Sequence, residues 1–457
     1  MSDLVIEMKS VETGGEKEKM DRGNDSPITK ESPTNVESDK WTPSPIPEEE
    51  KDTGTLTGKQ LAINLMKSIA GTGCLAIPYG MWNTGIIIGI VLFLVVAILY
   101  IISGYHLVTI YYKSQRVEVK GIQTNNDYAR LCYITMGKAG YIIFNIATIV
   151  TLFGMAMGTM IVMTDFVDGL PVKSAHPTFK RAILQAFITI IALILCLLKD
   201  PSLLVGVSSF GLVALVISLI ILFIYGMATY GFNFDSSFWF PRPNGILNNL
   251  GVFINSLAFS LMCLSQVKHL KKTYRTTVTT TISLSVLLMA VIYSLIGVIF
   301  LALYKTDNGV PGNILLAIPS NAPSNILISL LMVVTCIGSF PLYLSPIEEV
   351  IEAKFGPVRV GKLFILNHKS VFFRVTLVCL ISIMAFLFND FKAVLNFIGS
   401  STAILVCNIL PALIHLLYLG KGLSMTWIIV DVLITIGMTI VMIICTSISF
   451  KELVSTA

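Results

Sequence analysis

The chain has 457 residues, of which 54% are apolar and only 13% are charged, and its formal net charge is +5. An ordinary soluble domain carries about 25% charged residues, so this composition excludes a soluble globular protein and indicates a membrane protein. The basic residues lie mainly in the loops between apolar segments, so membrane topology explains the charge and no nucleic-acid partner is expected.

The first 58 residues differ in composition from the rest of the chain. They hold 14 acidic and 7 basic residues together with five prolines, and they lack an apolar run. Such a segment buries too little surface to offset its conformational entropy. We expect residues 1–58 to form a disordered cytosolic tail, residues 59–450 to form a transmembrane domain, and residues 451–457 to form a short C-terminal tail.

Eleven apolar windows follow the tail. About 20 helical residues cross the hydrocarbon core of a bilayer, and these windows are too long for the alternating strands of a membrane barrel. The predicted fold is therefore an all-α membrane protein with eleven transmembrane helices. The windows are 59–80, 85–112, 139–165, 181–198, 202–230, 247–267, 276–304, 323–349, 371–388, 392–418 and 425–448.

The lysine and arginine count of the loops predicts the orientation. With the tail in the cytosol, the inner loops hold 16 basic residues and the outer segments hold 7. Because basic loops stay on the cytosolic side, we expect a cytosolic N-terminus. An odd number of spans then leaves the C-terminus on the opposite side.

The first window contains the stretch SIAGTGCLAIPYG at residues 68–80. Each interior glycine disfavours an α-helix by about 1 kcal/mol, and a proline disfavours it by about 3 kcal/mol. Gly71, Gly73 and Pro78 therefore oppose a continuous helix, and we expect a break near Ala70–Cys74. In lipid, such irregular backbone persists only where it lines a cavity within the protein.

The two helix ends at this break have opposite polarity. The first half ends in carbonyls that suit an ammonium group, and the second half begins with N–H groups that suit a carboxylate. The pattern predicts a substrate site for a zwitterion, as in transporters with broken helices. Close packing of two helices at Gly-x-Gly explains the stretch equally well. The candidate binding residues are Ile69, Ala70, Gly71, Thr72, Gly73 and Cys74.

The same region carries a family resemblance. The run NLMKSIAGTGCLAIPYGMWNTG at 64–85 resembles the first-helix motif of the amino acid/auxin permease family, and most of all its proton-coupled amino acid transporter branch. Three further similar motifs follow in order, at 149–165, at 343–350 and at 372–413. The positions that match in the first motif are Lys67, Gly71, Thr72, Gly73, Pro78, Asn83 and Gly85.

The resemblance implies an eleven-helix bundle in which helices one to five and six to ten form inverted repeats, although the sequence itself shows no repeat. It also implies a secondary transporter for small neutral amino acids of the glycine, alanine and proline class, with H⁺ as a candidate co-substrate. Transport would proceed by alternating access around breaks in helices one and six. The membrane stays open between a lysosomal or vacuolar membrane, another endomembrane and the plasma membrane.

The sixth window departs from the family pattern. It lacks the branch's Phe-Glu pair and its later glycine and proline, so no helix breaker and no ionisable group remain there. Asn255, Ser256 and Ser260 are further candidates to line a site, although hydrogen bonds between helices explain each of them better. The departing positions are Leu257, Ala258, Leu261 and Ser265.

Five residues are candidates for ion coupling or gating. Asn64 stands where family members commonly carry a histidine, and Asp165 belongs to the second motif. His106 can titrate near neutral pH, although a histidine near the end of a span is more often an interfacial anchor. Lys67 either neutralises carbonyls at the break or extends toward the cytosol. Glu348 is either a buried gate or a charge at the membrane surface.

Three hypotheses about function follow from these features. The first is the transporter described above, and the alternative is an amino acid sensor that keeps the site but has little coupled flux. A channel would need rings of charge or filter carbonyls, which are missing. No nucleophile–base pair indicates an enzyme, and the eight cysteines lack CxxC spacing, so we expect no metal site and no cofactor.

Overall fold

The computed structural model describes residues 54–115, 117, 124, 126–170, 177–197, 202–305, 309–352 and 367–455. The tail predicted to be disordered lies outside these residues except for 54–58. Within the described ranges the chain forms α-helices and no named strand, so the predicted all-α class is confirmed. The helices are α1 (Gly58–Ile69), α2 (Ile77–Thr84), α3 (Ile86–Ser114), α4 (Asp127–Asp168), α5 (Pro177–Cys196), α6 (Ser202–Thr229), α7 (Pro243–Ser256), α8 (Ser260–Val267), α9 (Val278–Tyr304), α10 (Pro323–Glu352), α11 (His368–Leu387), α12 (Phe391–Ile398), α13 (Leu410–Leu419) and α14 (Met425–Ser455).

Large apolar side chains cover the outside of the helix bundle. Ile190, Leu284 and Leu433, on three different helices, are each more than half exposed. Water would oppose an apolar surface of this extent, whereas lipid tails are as apolar as these side chains. The chain is therefore a multi-pass membrane protein.

The number of spans differs from the prediction. Nine helices in the described part of the chain are long and apolar enough to cross a membrane, and the bent pair Gly58–Ile69 and Thr72–Thr84 brings the number to ten. The segment predicted at 181–198 is also helical, as α5, but is not among them. The predicted count of eleven is thus not confirmed. Helix α14 runs to Ser455, so most of the predicted C-terminal tail at 451–457 is helical.

The first span, formed by α1 and α2, is broken near the predicted position. α1 ends at Ile69, and Ala70 (φ −69°, ψ 83°) is the centre of an inverse γ-turn. In this turn the Gly71 N–H donates to the Ile69 carbonyl at 2.8 Å. A 3₁₀ turn then leads into α2, where Pro78 lies in the first turn and needs no helical N–H. The two parts of the span meet at an angle of 50°.

Spans keep the numbers of the eleven predicted windows, so the sixth span is formed by α7 and α8, and it is broken as well. α7 ends at Ser256 and α8 begins at Ser260, with Leu257 (φ −97°, ψ 2°) and Phe259 (φ −135°, ψ −9°) outside regular helical geometry. The sequence offers no glycine or proline here, yet the break that the family resemblance implied for helix six is present. A hydrogen bond from α3 to the end of α7 stabilises the broken backbone.

Each of the two breaks is stabilised by a tyrosine from another helix. Tyr293 of α9 donates its hydroxyl to the Ile69 carbonyl at 2.9 Å, at the end of α1. Tyr100 of α3 donates to the Ile254 carbonyl at 2.7 Å, near the end of α7. A buried carbonyl without a partner would cost about 1 to 3 kcal/mol. The second span (α3) thus supports the break in the sixth, and the seventh (α9) supports the break in the first.

The tenth span changes its winding at its centre. Between α12 and α13, Gly399–Ala403 and Leu405–Ile409 are π-helical, a rare geometry found mostly at functional sites. The backbone here passes very close to α7, because a Cβ on Gly399 would lie 1.8 Å from the carbonyl oxygen of Gly251. A residue without a Cβ is therefore required at position 399.

Candidate functional site

A cavity of about 100 Å³ lies between the two breaks. Its wall is formed by the first, sixth and tenth spans together with α4 and α10. One water needs about 10 to 15 Å³ of such volume, so the cavity can hold a molecule of several heavy atoms. Its size alone therefore favours a small ligand.

One side of the cavity offers backbone donors. Thr72 and Gly73 begin the helical run that follows the break, and within the described chain their N–H groups donate no hydrogen bond. The first N–H groups of a helix carry partial positive charge and attract anions. A Cβ on Gly73 would lie 3.2 Å from the Cα of Ser256, so the first and sixth spans meet at this point. This side of the cavity suits a carboxylate.

The other side of the cavity offers acceptors. Ser68 and Ile69, in the last turn of α1, line it, and the end of a helix carries partial negative charge. Asn255, near the end of α7, is 8% exposed, and its Oδ1 has no hydrogen-bond partner among the described residues. An unpaired buried acceptor costs about 1 to 3 kcal/mol. An ammonium group in the cavity would remove that cost.

Charged side chains are missing from the cavity wall in the described part of the chain. The polar groups there belong to the backbone, to hydroxyls and to the carboxamide of Asn255, and much of the remaining wall is apolar, with Leu395, Ala403 and Val406 as examples. A ligand with a charged side chain would bury that charge without a partner. A zwitterion with a small neutral side chain meets no such penalty.

Most of the predicted binding residues line the cavity. Ala70 and Cys74 do not, because Ala70 is the corner of the turn and Cys74, at 2% exposure, packs in the core. Those that do are Ile69, Gly71, Thr72, Gly73, Asn255, Ser256 and Ser260.

The two serine hydroxyls of the sixth span are engaged within the protein. Ser256 donates to the Phe253 carbonyl at 2.9 Å, and the Ser260 hydroxyl lies 3.4 Å from that of Ser103 on α3. The alternative of hydrogen bonding within and between helices therefore describes both side chains. They form part of the wall, whereas Asn255 retains an unpaired acceptor.

The sequence reasoning missed other wall residues, of which three are examples. Thr151 of α4 lines the cavity, and its hydroxyl lies 2.7 Å from that of Thr402. Tyr343 of α10 and Phe259 of the sixth-span break also line it. Thr151 and Tyr343 lie within the motifs of the family resemblance, which was a usable signal. Phe259 had none, because the resemblance implied a break in helix six without indicating which residues form it.

Three of the coupling or gating candidates lie on α1 and α4, away from the cavity wall. Asn64 and Lys67 are on α1 before the break, and the Asn64 carbonyl accepts the hydroxyl of Ser68 at 2.9 Å. Asp165, near the end of α4, pairs with Arg181 of α5 at 2.8 Å. None of the three lines the cavity.

Glu348 belongs to a buried charge cluster formed by α10 and α11. Arg374 lies 3.0 Å from its Oε2 and also makes hydrogen bonds of 2.8 and 3.0 Å to Glu352. At 5% exposure, Glu348 is buried among its neighbours in the helix bundle. Its side chain is a partner of Arg374 and does not line the cavity.

His106 is buried and does not line the cavity. Its side chain is 1% exposed, so it is not the interfacial anchor that its position in the sequence favoured. Its ring stacks on that of His415 with 4.0 Å between centroids, and Asp431 lies beside both rings. No sequence pattern indicated this cluster, because its members come from α3, α13 and α14.

A second hollow, of about 320 Å³, lies between the cavity and one face of the membrane domain. Leu152, Leu261 and Met262 line both spaces, so the two are adjacent. The hollow also contacts Lys268 and Asp127, which form an ion pair at 3.6 Å. We call this side, which the loop charges predict to be cytosolic, the inner face.

The opposite side, the outer face, is closed above the cavity by Lys392 of α12. Its amino group lies 2.6 Å from a carboxylate oxygen of Glu452 on α14 and 3.1 Å from the hydroxyl of Tyr79 on α2. We call these three side chains the outer latch. Since Lys392 is only 9% exposed, little water competes for these contacts. The cavity is thus closed toward the outer face and approached by a hollow from the inner face.

A separate ion pair fixes the outer loop between α6 and α7. Lys305, at the end of α9, lies 3.1 Å from Asp235. The Ser237 backbone N–H, together with Lys305 and the Ser237 hydroxyl, donates to this carboxylate and holds the pKa of Asp235 well below its usual range. The pair therefore stays ionised in mildly acidic water.

Comparison with known proteins identifies the family. The family model described as "Transmembrane amino acid transporter protein" matches residues 54–451 of the 457. The chain belongs to this family. The match confirms the resemblance to the amino acid/auxin permeases, and both the family and the relatives are transporters rather than enzymes.

Three relatives show the range of similarity. The chain is 26% identical to Vacuolar amino acid transporter 7 of Saccharomyces cerevisiae over 298 residues, which are 63% of this chain and 58% of that protein. It is 22% identical to Amino acid transporter AVT3A of Arabidopsis thaliana over 384 residues, 81% of this chain and 84% of the relative. It is 21% identical to human Solute carrier family 38 member 10 over 372 residues, 78% of this chain but 32% of the relative. The match thus spans less than two thirds of the yeast and human proteins.

Proposed function

We propose that the chain is a secondary active transporter that moves small neutral amino acids by alternating access around the breaks in the first and sixth spans. One observation carries the proposal: the cavity between these breaks has N–H groups of Thr72 and Gly73 on one side and the unpaired Oδ1 of Asn255 on another. A zwitterion supplies a carboxylate and an ammonium group, which satisfy both. The family and the names of the relatives support amino acids as the substrate.

The substrate class follows from the size and charge of the cavity. A volume of about 100 Å³ favours amino acids of the glycine, alanine and proline class. The wall offers no charged side chain among the described residues, so acidic and basic amino acids would bury an unpaired charge. Neutral side chains are therefore favoured.

The proposal includes a proton as co-substrate and an internal membrane as the location. Because the described cavity wall carries no acidic or basic side chain, any proton must bind elsewhere in the protein. The yeast relative is named as a vacuolar transporter, which supports a vacuolar or lysosomal membrane. The excess of basic residues in the inner loops supports a cytosolic N-terminus.

The alternative function is an amino acid sensor with little coupled flux. The presence of Asn64, where the proton-coupled branch carries a histidine, favours it, because an amide cannot take up a proton. The acidic N-terminal segment, residues 1–58, would be its signalling element. A sensor needs the cavity but not the movement between the two faces.

Reconstitution separates the two functions. The purified protein is placed in liposomes with an inward proton gradient, and the uptake of labelled glycine, alanine and proline is followed. Uptake above that of empty vesicles, abolished by an uncoupler, is the result expected of a proton-linked transporter. Saturable binding without uptake would instead establish the sensor. Transport of arginine or glutamate in preference to alanine would contradict the proposed substrate class.

A further inference from the structure

A second polar centre lies outside the cavity, between α3, α13 and α14. Asp431 is fully buried, and its Oδ2 lies 2.7 Å from Nδ1 of His415. Its Oδ1 lies 3.2 Å from Nε2 of His106, without the geometry of a hydrogen bond. The two imidazole rings are stacked 4.0 Å apart and inclined by only 12°. We call this group the His–Asp cluster.

The stacking of the rings argues against a shared metal ion. The three side chains bring nitrogen and oxygen atoms within 4.8 Å of one another, as a metal site requires. However, a metal ion binds about 2.0 Å from an imidazole nitrogen, along its lone pair and hence in the plane of the ring. Nearly parallel rings at 4.0 Å cannot both contain one ion in their planes. The ligand that fits without moving the rings is a proton.

Charge balance fixes how many protons the cluster holds. A buried carboxylate without a counter-charge is costly, because desolvation amounts to several kcal/mol for an ion. One imidazolium beside Asp431 balances its charge, whereas two imidazolium rings in stacking contact would repel each other. A carboxylate with one imidazolium and one neutral imidazole is therefore the favoured state.

The neighbours of the cluster leave this balance intact. Among the described residues, Tyr105 of α3 is a further ionisable side chain in ring contact with both histidines, at 5.9 and 6.1 Å between centroids. Trp427 of α14 covers the rings edge-on and carries no charge. The charged Arg130 of α4 is directed elsewhere, to the carbonyls of Ser114 and Val117.

We propose that His106, His415 and Asp431 form a proton-binding site that takes up one proton as a unit and thereby clamps the tenth span to α3 and α14. The proton adds to an imidazole nitrogen, and no other covalent bond changes. Release of the proton leaves the buried carboxylate without a counter-charge, which favours separation of the three helices and entry of water. The role of this site in coupling rests on the proposed transport, but proton binding itself does not.

The tenth span connects this site to the cavity. Cys407 lines the cavity, and His415 follows it by eight residues on the same span, about 12 Å at 1.5 Å per helical residue. The π-helical segments Gly399–Ala403 and Leu405–Ile409 precede His415 in the chain, whereas the loop to α14 follows it. A change in the contacts that hold α13 to α3 and α14 therefore acts on the part of the tenth span that forms the cavity wall.

Nuclear magnetic resonance of the full chain tests proton binding without any transport. The protein has five histidines, so ¹⁵N-labelled histidine in nanodiscs gives few signals, which His106→Gln and His415→Gln assign. We expect the two buried rings to change together and to gain a total of one proton between about pH 8 and pH 5. Two separate protonations, or none across this range, would overturn the proposal. Spectral changes of both rings on addition of ZnCl₂ would overturn it in favour of a metal site.

Transport assays test the role of the site in coupling. His415→Gln and Asp431→Asn should lower gradient-driven accumulation of alanine by about tenfold, a coupling within the usual range. His368→Gln, an exposed histidine at the start of α11, is the matched control and should leave accumulation unchanged. If the wild type transports nothing, the proposed function fails while the resonance experiment still decides the site. If both cluster variants are folded and accumulate alanine like the control, the coupling role is wrong.

Discussion

Gly71 is the point at which the broken backbone of the first span faces the cavity without a side chain. A Cβ added there would have the Ile69 carbonyl oxygen as its nearest neighbour, at 3.9 Å, with no other atom closer than 4 Å. Its φ of −125° is accessible to any residue. An added methyl group would therefore occupy ligand space without straining the protein.

Gly71→Ala should reduce amino acid binding and leave stability unchanged. The methyl group competes with the ligand for a cavity of about 100 Å³, and overpacking of this kind costs about 1 to 3 kcal/mol. We expect binding of alanine to weaken roughly 5- to 150-fold. Scintillation proximity binding and thermal unfolding of the same preparation measure the two effects.

Two other glycines give the comparison for this variant. Gly437→Ala, on the exposed face of α14 with open space around it, should not weaken binding. Gly73→Val should lower both binding and stability, because its side chain would meet the Cα of Ser256 and separate the two broken spans. Unchanged affinity in Gly71→Ala would remove the break from the binding site.

At the scale of elements, the breaks are stabilised by helices that are not themselves broken. Tyr100 and Tyr293 extend from α3 and α9 to the carbonyls of Ile254 and Ile69. Neither hydroxyl lines the cavity, so each acts by positioning the end of a broken helix. The cavity is consequently held in shape from the second and seventh spans.

Tyr100→Phe and Tyr293→Phe should lower both thermal stability and substrate affinity. Tyr100→Phe removes the hydroxyl that pairs with the buried Ile254 carbonyl, at a cost of about 1 to 3 kcal/mol, whereas the Ile69 carbonyl in Tyr293→Phe keeps the Gly71 N–H, so the loss there is about 0.5 to 1.5 kcal/mol. The freed helix end can then shift against the cavity. Differential scanning fluorimetry and alanine binding measure the two quantities.

Tyr304→Phe is the matched control for these variants. Its hydroxyl donates to the Leu222 carbonyl at 2.6 Å, which is the same type of hydrogen bond at a place remote from both breaks. It should lower the melting temperature and leave affinity as it is. Equal loss of affinity in all three variants would show that the tyrosines act through general stability alone.

The breaks also show what the sequence could and could not predict. Gly71 and Pro78 oppose a helix by local backbone properties, so the first break was predictable from composition at those positions. The break in the sixth span is stabilised by Tyr100, which lies more than 150 residues earlier in the chain. No local sequence pattern therefore indicated this break. The His–Asp cluster was hidden for the same reason. Apolar windows predicted the helical class and most boundaries, but not which helices meet.

At the scale of the whole molecule, the structure has one face open and the other closed. The second hollow approaches the cavity from the inner face, and the outer latch joins α2, α12 and α14 on the opposite side. Alternating access requires the latch to open when the inner hollow closes. The latch therefore sets part of the balance between the two states.

Lys392→Met should shift this balance toward the state that is open to the outer face. The substitution removes the cation that connects Tyr79 with Glu452, at a cost to the closed state of about 1 to 3 kcal/mol. The natural Cys407 in the cavity wall reports the change. We expect an impermeant maleimide added at the outer face to label Cys407 about tenfold faster than in the wild type.

Lys305→Met provides the comparison on the same face. It removes a lysine that pairs with Asp235 but does not join the first and tenth spans. Labelling of Cys407 should stay at the wild-type rate in this variant. Should both variants, or neither, accelerate labelling, the latch has no specific part in closing the outer face.

The absence of charged side chains from the described cavity wall has a consequence for substrate binding in a membrane that separates compartments of different pH. Backbone amides and a carboxamide keep the same charge in neutral cytosol and in an acidic lumen, so the affinity for a zwitterion stays constant while both of its own charges persist. Acidification can then act only through ionisable side chains at a distance. Substrate specificity and pH dependence therefore arise from separate parts of the protein, and either can be altered while the other is preserved.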